Sequence, residues 1–181
     1  MAERDLNSGV GIWNNKKPFP KDNYICRCIE EKFAPSGKGN PMVTRQWEIV
    51  SPEVVTVGDG QLSVVGVKFF QYLMTQVLEN GQVDKDKSDK SFAKLAEDYK
   101  ALGYDKTSID DQNPPLIAKG KCAYIILWAK EDKQTKPLTN AERLAGKKVG
   151  EDIVDPATGK PLIKYVLNVD QVLGIAPAPT F

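Results

Sequence analysis

The chain has 181 residues, sets 25 Lys and Arg against 24 Asp and Glu, and contains no histidine. Its length and 41% hydrophobic content fit one globular domain with a sizeable core, and exclude a collagen-like, mostly disordered or disulfide-scaffold chain. Without His, neither Ser-His-Asp nor Cys-His catalysis can operate within the chain, and the commonest zinc ligand is missing.

An enzyme would have to work through carboxylates or lysine, so the chain reads as a non-enzyme with no cofactor and no metal. No apolar run approaches the ~20 residues of a membrane-spanning helix. The opening MAERDLNSGVGIW lacks the basic-then-apolar layout of a signal peptide. Three cysteines, an odd number, make no disulfide framework and point to a reducing cytoplasm.

In chain order, residues 1–20 read as an extended arm with Trp13 and Phe19 as isolated aromatics. NYICRCIEEKF (23–33) and MVTRQWEIV (42–50) alternate as strands do, and PSGKGNP (35–41) between them predicts a long antiparallel hairpin. Val43, Arg45, Trp47 and Ile49 share one face of the second strand, and Val43 and Ile49 mark Trp47 as core. VGDGQ (57–61) is a connection. SVVGVKFF (63–70) opens a third strand, with QYLMTQVLENG either strand or helix.

DKDKSDK (84–90) reads as a charged linker. Phe92, Leu95, Ala96, Tyr99 and Leu102 then mark an amphipathic helix over 91–104, with Asp89 or Ser91 as N-cap and Gly103 as its stop. After the SIDDQNPP loop, KGKCAYIILWAKED (119–132) is apolar on both faces, as a central strand should be. A hydrophilic connection over 133–161 leads to a last strand, LIKYVLNV (162–169).

Three strands, a helix and two strands match a mainly β fold: a five-stranded OB-fold barrel with one helix between strands 3 and 4 and a long loop between strands 4 and 5. A β-sandwich with an inserted helix is the alternative. The expected organisation is an arm (1–20), an OB-fold domain (21–174) and a neutral Pro-rich tail (175–181).

Aromatic residues interleaved with cations are the chemistry that holds single-stranded nucleic acid: flat rings stack on bases and ammonium groups neutralise phosphate. The candidate contacts are Lys38 at the hairpin tip, Arg45 beside Trp47, Lys68 with Phe70 and Tyr72, Trp128 with Lys130, and Lys164 beside Tyr165. Adjacent Phe69 and Phe70 must face opposite ways on a strand, so only one of them can be a platform. Cys26 and Cys28, even with Cys122, fall short of the four ligands of structural zinc and read as small buried hydrophobes. D-K-D-K-S-D lacks the glycine and terminal Glu of a calcium loop.

YICRCIEEK (24–32), KGNPM (38–42) followed by WEIV (47–50), ALGY (101–104) and KGKCAYI (119–125) form a series. That series resembles phage single-stranded-DNA-binding proteins with an OB-fold, of the podophage type. The resemblance implies a replication and recombination accessory that coats unpaired strands without sequence readout, its groove lined by Lys38, Arg45 and residues 68–72. Single-stranded DNA is the expected partner, with replication proteins and a second copy of the chain as further candidates and no membrane. Such proteins commonly end in an acidic tail with a terminal aromatic. Here Phe181 follows an uncharged IAPAPT, a departure that weakens any tail-mediated recruitment. A protein-interaction or assembly module on the same barrel is the alternative function.

Overall fold

A computed structural model describes residues 10–12 (backbone only), 18–58 and 60–179. Trp13, Phe181 and most of the expected arm lie outside the described residues. The strands are β1 (Val10–Ile12), β2 (Asp22–Pro35), β3 (Pro41–Ser51), β4 (Val54–Val57), β5 (Gly60–Ser63), β6 (Lys68–Met74), β7 (Leu78–Glu79), β8 (Gln82–Val83), β9 (Cys122–Lys133) and β10 (Ile163–Ala176). The helices are α1 (Lys85–Ala101) and α2 (Asn140–Leu144). Among the described residues no helix is long and apolar enough to cross a membrane.

Five strands form one antiparallel sheet in the order β10-β9-β2-β3-β6. The predicted hairpin is present, with β2 and β3 paired from Ile25↔Ser51 to Pro35↔Pro41. A bulge at Ile29 shifts the register between Cys28 and Glu30. Cys26 and Cys28 face the core before it, and Glu31 faces the core after it. As the apolar run predicted, β9 is central, paired on both sides by β2 and β10. Its Ala123, Ile125 and Leu127 are buried, and its other face is half-covered.

The expected closed barrel is not formed: no ladder joins β6 to β10 among the described residues. These edge strands approach each other, and α1 packs against both. β10 carries two bulges, at Asp170 and Leu173, which bend it beside the helix and leave a groove in place of a fifth ladder. Inside the curl, Trp47, Ile49, Phe69, Ile125, Leu127 and Leu167 form the main core, while Val43, Leu95 and Tyr99 seat the helix.

Several local expectations are corrected. Val54–Val57 and Gly60–Ser63 pair antiparallel as β4 and β5, joined in parallel by β1, so the third strand of the main sheet begins at Lys68 rather than at 63. QYLM continues as strand, and LENGQV makes the β7–β8 hairpin with Asn80 and Gly81 both at positive φ (53° and 77°), as a two-residue turn demands. DKDKSDK is not a linker but the first turns of α1. Asp84 is the N-cap, accepting from Lys87 N–H at 3.0 Å, and Ser88 is buried, its hydroxyl accepting from Val77 N–H at 2.8 Å. The helix does end before Gly103 (φ 86°). The last strand runs through Gly174 to Ala176, so the tail begins at Pro177.

Candidate nucleic-acid interface

β6 reads Lys68-Phe69-Phe70-Gln71-Tyr72, and strand alternation sends Phe69 and Gln71 inward and Lys68, Phe70 and Tyr72 outward. Phe70 is 48% and Tyr72 58% exposed, high values for rings this large. Their centroids lie 6.1 Å apart with planes inclined by only 19°. These rings form one rim of a groove between β6 and β10. A shallow part of about 280 Å³ is lined by Lys68, Phe70 and Tyr72 on one side and by Tyr165, Val166 and Asn168 on the other. It continues, through the shared Phe70, Tyr72 and Asn168, into a part of about 710 Å³ walled by Lys94, Glu97 and Asp98 of α1 and by residues 168–173 of β10.

Register carries the surface onto β9. Trp128, 36% exposed, pairs with Asn168, and exposed Lys130 pairs with Val166, which is itself exposed. Lys164 lies two residues along β10 from Val166 and is half-buried. Lys68, Lys94, Lys130 and Lys164 take part in no ion pair among the described residues. Of the nearby carboxylates, Asp98 is held by Arg45 and Asp170 by Lys21 (3.1 Å), which leaves Glu97 as the acid on the groove wall without an ion pair among the described residues.

Lys38 is exposed at the β2–β3 turn, beyond the end of β6 and apart from this groove. The Ser36 hydroxyl accepts from the backbone N–H of Lys38 (3.3 Å) and of Asn40 (3.1 Å), so the turn spends its amides on itself rather than offering them to an anion.

Arg45 contradicts its expected place. It is fully buried on the Trp47 face of β3 and reaches no groove. Its Nε donates to Glu31 Oε2 at 2.6 Å, and its Nη1 donates to Asp98 and, at 3.3 Å, to Gln71 Oε1. Gln71 Oε1 also accepts from Trp47 Nε1 (3.0 Å), and Gln71 Nε2 donates to Asp98 Oδ2 (2.8 Å). Glu31 Oε1 takes the backbone N–H of Ala118 at 2.8 Å, and the Tyr99 ring lies 5.3 Å from the guanidinium carbon. Burial disfavours the charge of Arg45, but the carboxylates of Asp98 and Glu31 outweigh it and raise its pKa. The cluster ties β2, β3, β6, α1 and the segment before β9 together as a structural ion network.

The thiols of Cys26, Cys28 and Cys122 are free and buried. Burial raises all three, Cys28 to about 12 with Glu31 adding to it, so they stay protonated and inert at neutral pH.

Sequence reasoning missed Lys94, Val166 and Asn168. The alternation of LIKYVLNV carried the signal for two of them: Leu167 faces the core, so Val166 and Asn168 beside it turn away. Lys94 stands out only once α1 is seated across the groove. No protein-family model and no curated protein matches the chain.

Proposed function

We propose that this chain is a single-stranded-DNA-binding protein that acts without sequence readout and without turnover, in phage replication or recombination, as its motif series implies. On this reading the five-stranded sheet is an OB-fold whose last seam, between β6 and β10, stays open as the binding groove. The strand pairings β2–β3, β3–β6, β2–β9 and β9–β10, with α1 between β6 and β9, support it. The observation that carries the reading is the exposed parallel pair Phe70 and Tyr72, set in one groove with the unpaired cations Lys68 and Lys94 and flanked by Trp128, Lys130 and Lys164. Rings supply stacking and lysines supply phosphate neutralisation.

Anisotropy titration of labelled oligo-dT and of a duplex at several salt concentrations tests it. The expected result is preference for the single strand, with log K falling against log salt at a slope of about −3 if four lysines each meet a phosphate. Absence of oligo-dT binding at low salt refutes it.

One observation favours a second reading, a protein-assembly module. The β9–β10 connection is built as an ordered arm, with Thr139 and Glu142 forming a capping box on α2 and Lys133 and Asp152 an ion pair (2.7 Å). It nevertheless leaves Leu144 90% exposed. On that reading oligo-dT does not bind, and Leu144→Asp abolishes self- or partner association.

A further inference from the structure

We infer that Phe70 and Tyr72 form a slot for one unpaired base, entered between the two rings, rather than two platforms for successive bases. The inference rests on the groove reading above. Residues two apart on a strand are spaced by about 6.7 Å. Two flat groups sandwiching a third need twice a contact distance of about 3.5 Å, or about 7 Å. The ring centroids lie 6.1 Å apart with planes inclined by 19°, so the present gap is no wider than 6.1 Å and a base enters only as an exposed ring rotates outward about its side-chain bonds.

The strand beneath the slot is held. Gln71, between the two rings, points inward and is fixed by hydrogen bonds with Trp47, Arg45 and Asp98. The two anchor points therefore keep their spacing while the rings turn, which lowers the ordering cost of binding. Above the rings the groove opens toward Val166 and Asn168, leaving room for the sugar-phosphate chain beside Lys68. A paired base cannot enter, because both its faces are already stacked and its edge is occupied, so the slot accounts for preference for single strands without any base-edge contact.

The test is a mutant cycle on oligo-dT binding with Phe70→Ala, Tyr72→Ala and the double variant, each checked for an unchanged unfolding midpoint. In a slot, loss of either wall removes the sandwich. Each single variant then weakens binding on the order of 5- to 150-fold, and the double variant is little weaker than the worse single one. Tyr72→Phe, which keeps a flat wall, retains the affinity. Photo-crosslinking with one 5-iodouracil walked along the oligo gives a second readout: the same position crosslinks to both rings. Multiplicative losses in the double variant, or crosslinks from neighbouring positions to separate rings, overturn the slot while leaving the groove intact. Unaltered binding in every variant overturns the slot and moves the groove elsewhere. Failure of the unmodified protein to bind overturns the groove reading and the slot with it.

Discussion

Replacing Arg45 with Met keeps the length and apolar stem of the side chain and deletes its charge. What remains is the pocket: Glu31 and Asp98, both buried, lose the cation that holds them at 2.6 Å and at hydrogen-bonding distance. Gln71 also loses one donor. Removing one partner of a buried ion pair costs about 3–5 kcal/mol, because the other charge stays buried without compensation. Against a typical total of roughly 5–15 kcal/mol, that is a large share of the stability. Urea unfolding followed by Trp fluorescence measures it, Trp47 lying inside the network as a local reporter. The combined variant Glu31→Gln, Arg45→Met, Asp98→Asn removes the stranded charges and recovers part of the loss. In whatever fraction of Arg45→Met folds, the salt slope of DNA binding is unchanged, because Arg45 reaches no phosphate. A variant of full stability with a flatter salt slope refutes the assignment of Arg45 to the core network.

Three further predictions are independent of that one. Lys68→Ala and Lys94→Ala each flatten the slope of log K against log salt by about 0.7, one phosphate contact each, whereas Lys38→Ala does not; an equal effect from Lys38 moves the DNA path to the hairpin tip. The carboxylate of Asp84 sits below its ordinary value, chiefly through the hydrogen bond from Lys87 N–H, so its capping contribution is present above the unfolded value of 3.8 and lost as pH falls through the lower folded one. Asp84→Ala therefore lowers the urea midpoint at pH 7, and the difference from the unmodified protein narrows as pH falls below 3.8; a difference that stays constant down the acid range refutes the role of the charge. The thiols shift the other way: their folded values lie above the unfolded 9.0, so stability is intact below pH 9 and declines as pH rises beyond it. Ellman's reagent at pH 8 meets no reactive thiol until the protein unfolds, when all three react; a fast native thiol contradicts their burial.

Much of the main sheet was legible from local signals: 119–132 is apolar on both faces, 23–33 and 42–50 alternate, and each holds a strand. Alternation assigned Arg45 correctly and was overridden. Arg45 has the parity of Val43, Trp47 and Ile49, so the face that buries Trp47 buries Arg45 too. Its partner was harder to see. Unbroken alternation from Cys26 and Cys28 puts Glu30 inside and Glu31 outside, and only the bulge at Ile29 exchanges them.

Other misses have distinct causes. The Asn80-Gly81 pair was a readable hairpin signal. The charged run 84–90 concealed a helix start, because its lysines and acids belong to an exposed first turn whose cap is Asp84 rather than the residues beside the apolar stripe. Closure of the sheet was not legible at all. Strand order constrains which edges meet, but whether β6 and β10 exchange hydrogen bonds depends on bulges and on α1 lying beside them. For the groove, the sequence supplied the ring pair and most of its cations. The wall formed by Lys94, Val166 and Asn168 required the two edges to be brought together in space.

The most direct test of the binding groove is amide chemical-shift mapping of the labelled protein on addition of a short oligo-dT. The groove assignment predicts the largest perturbations at residues 68–73 and 164–173, with smaller ones at 128–130 and near Lys94. Perturbations confined to the 36–40 turn or the 133–161 arm, or none at saturating oligonucleotide, contradict it.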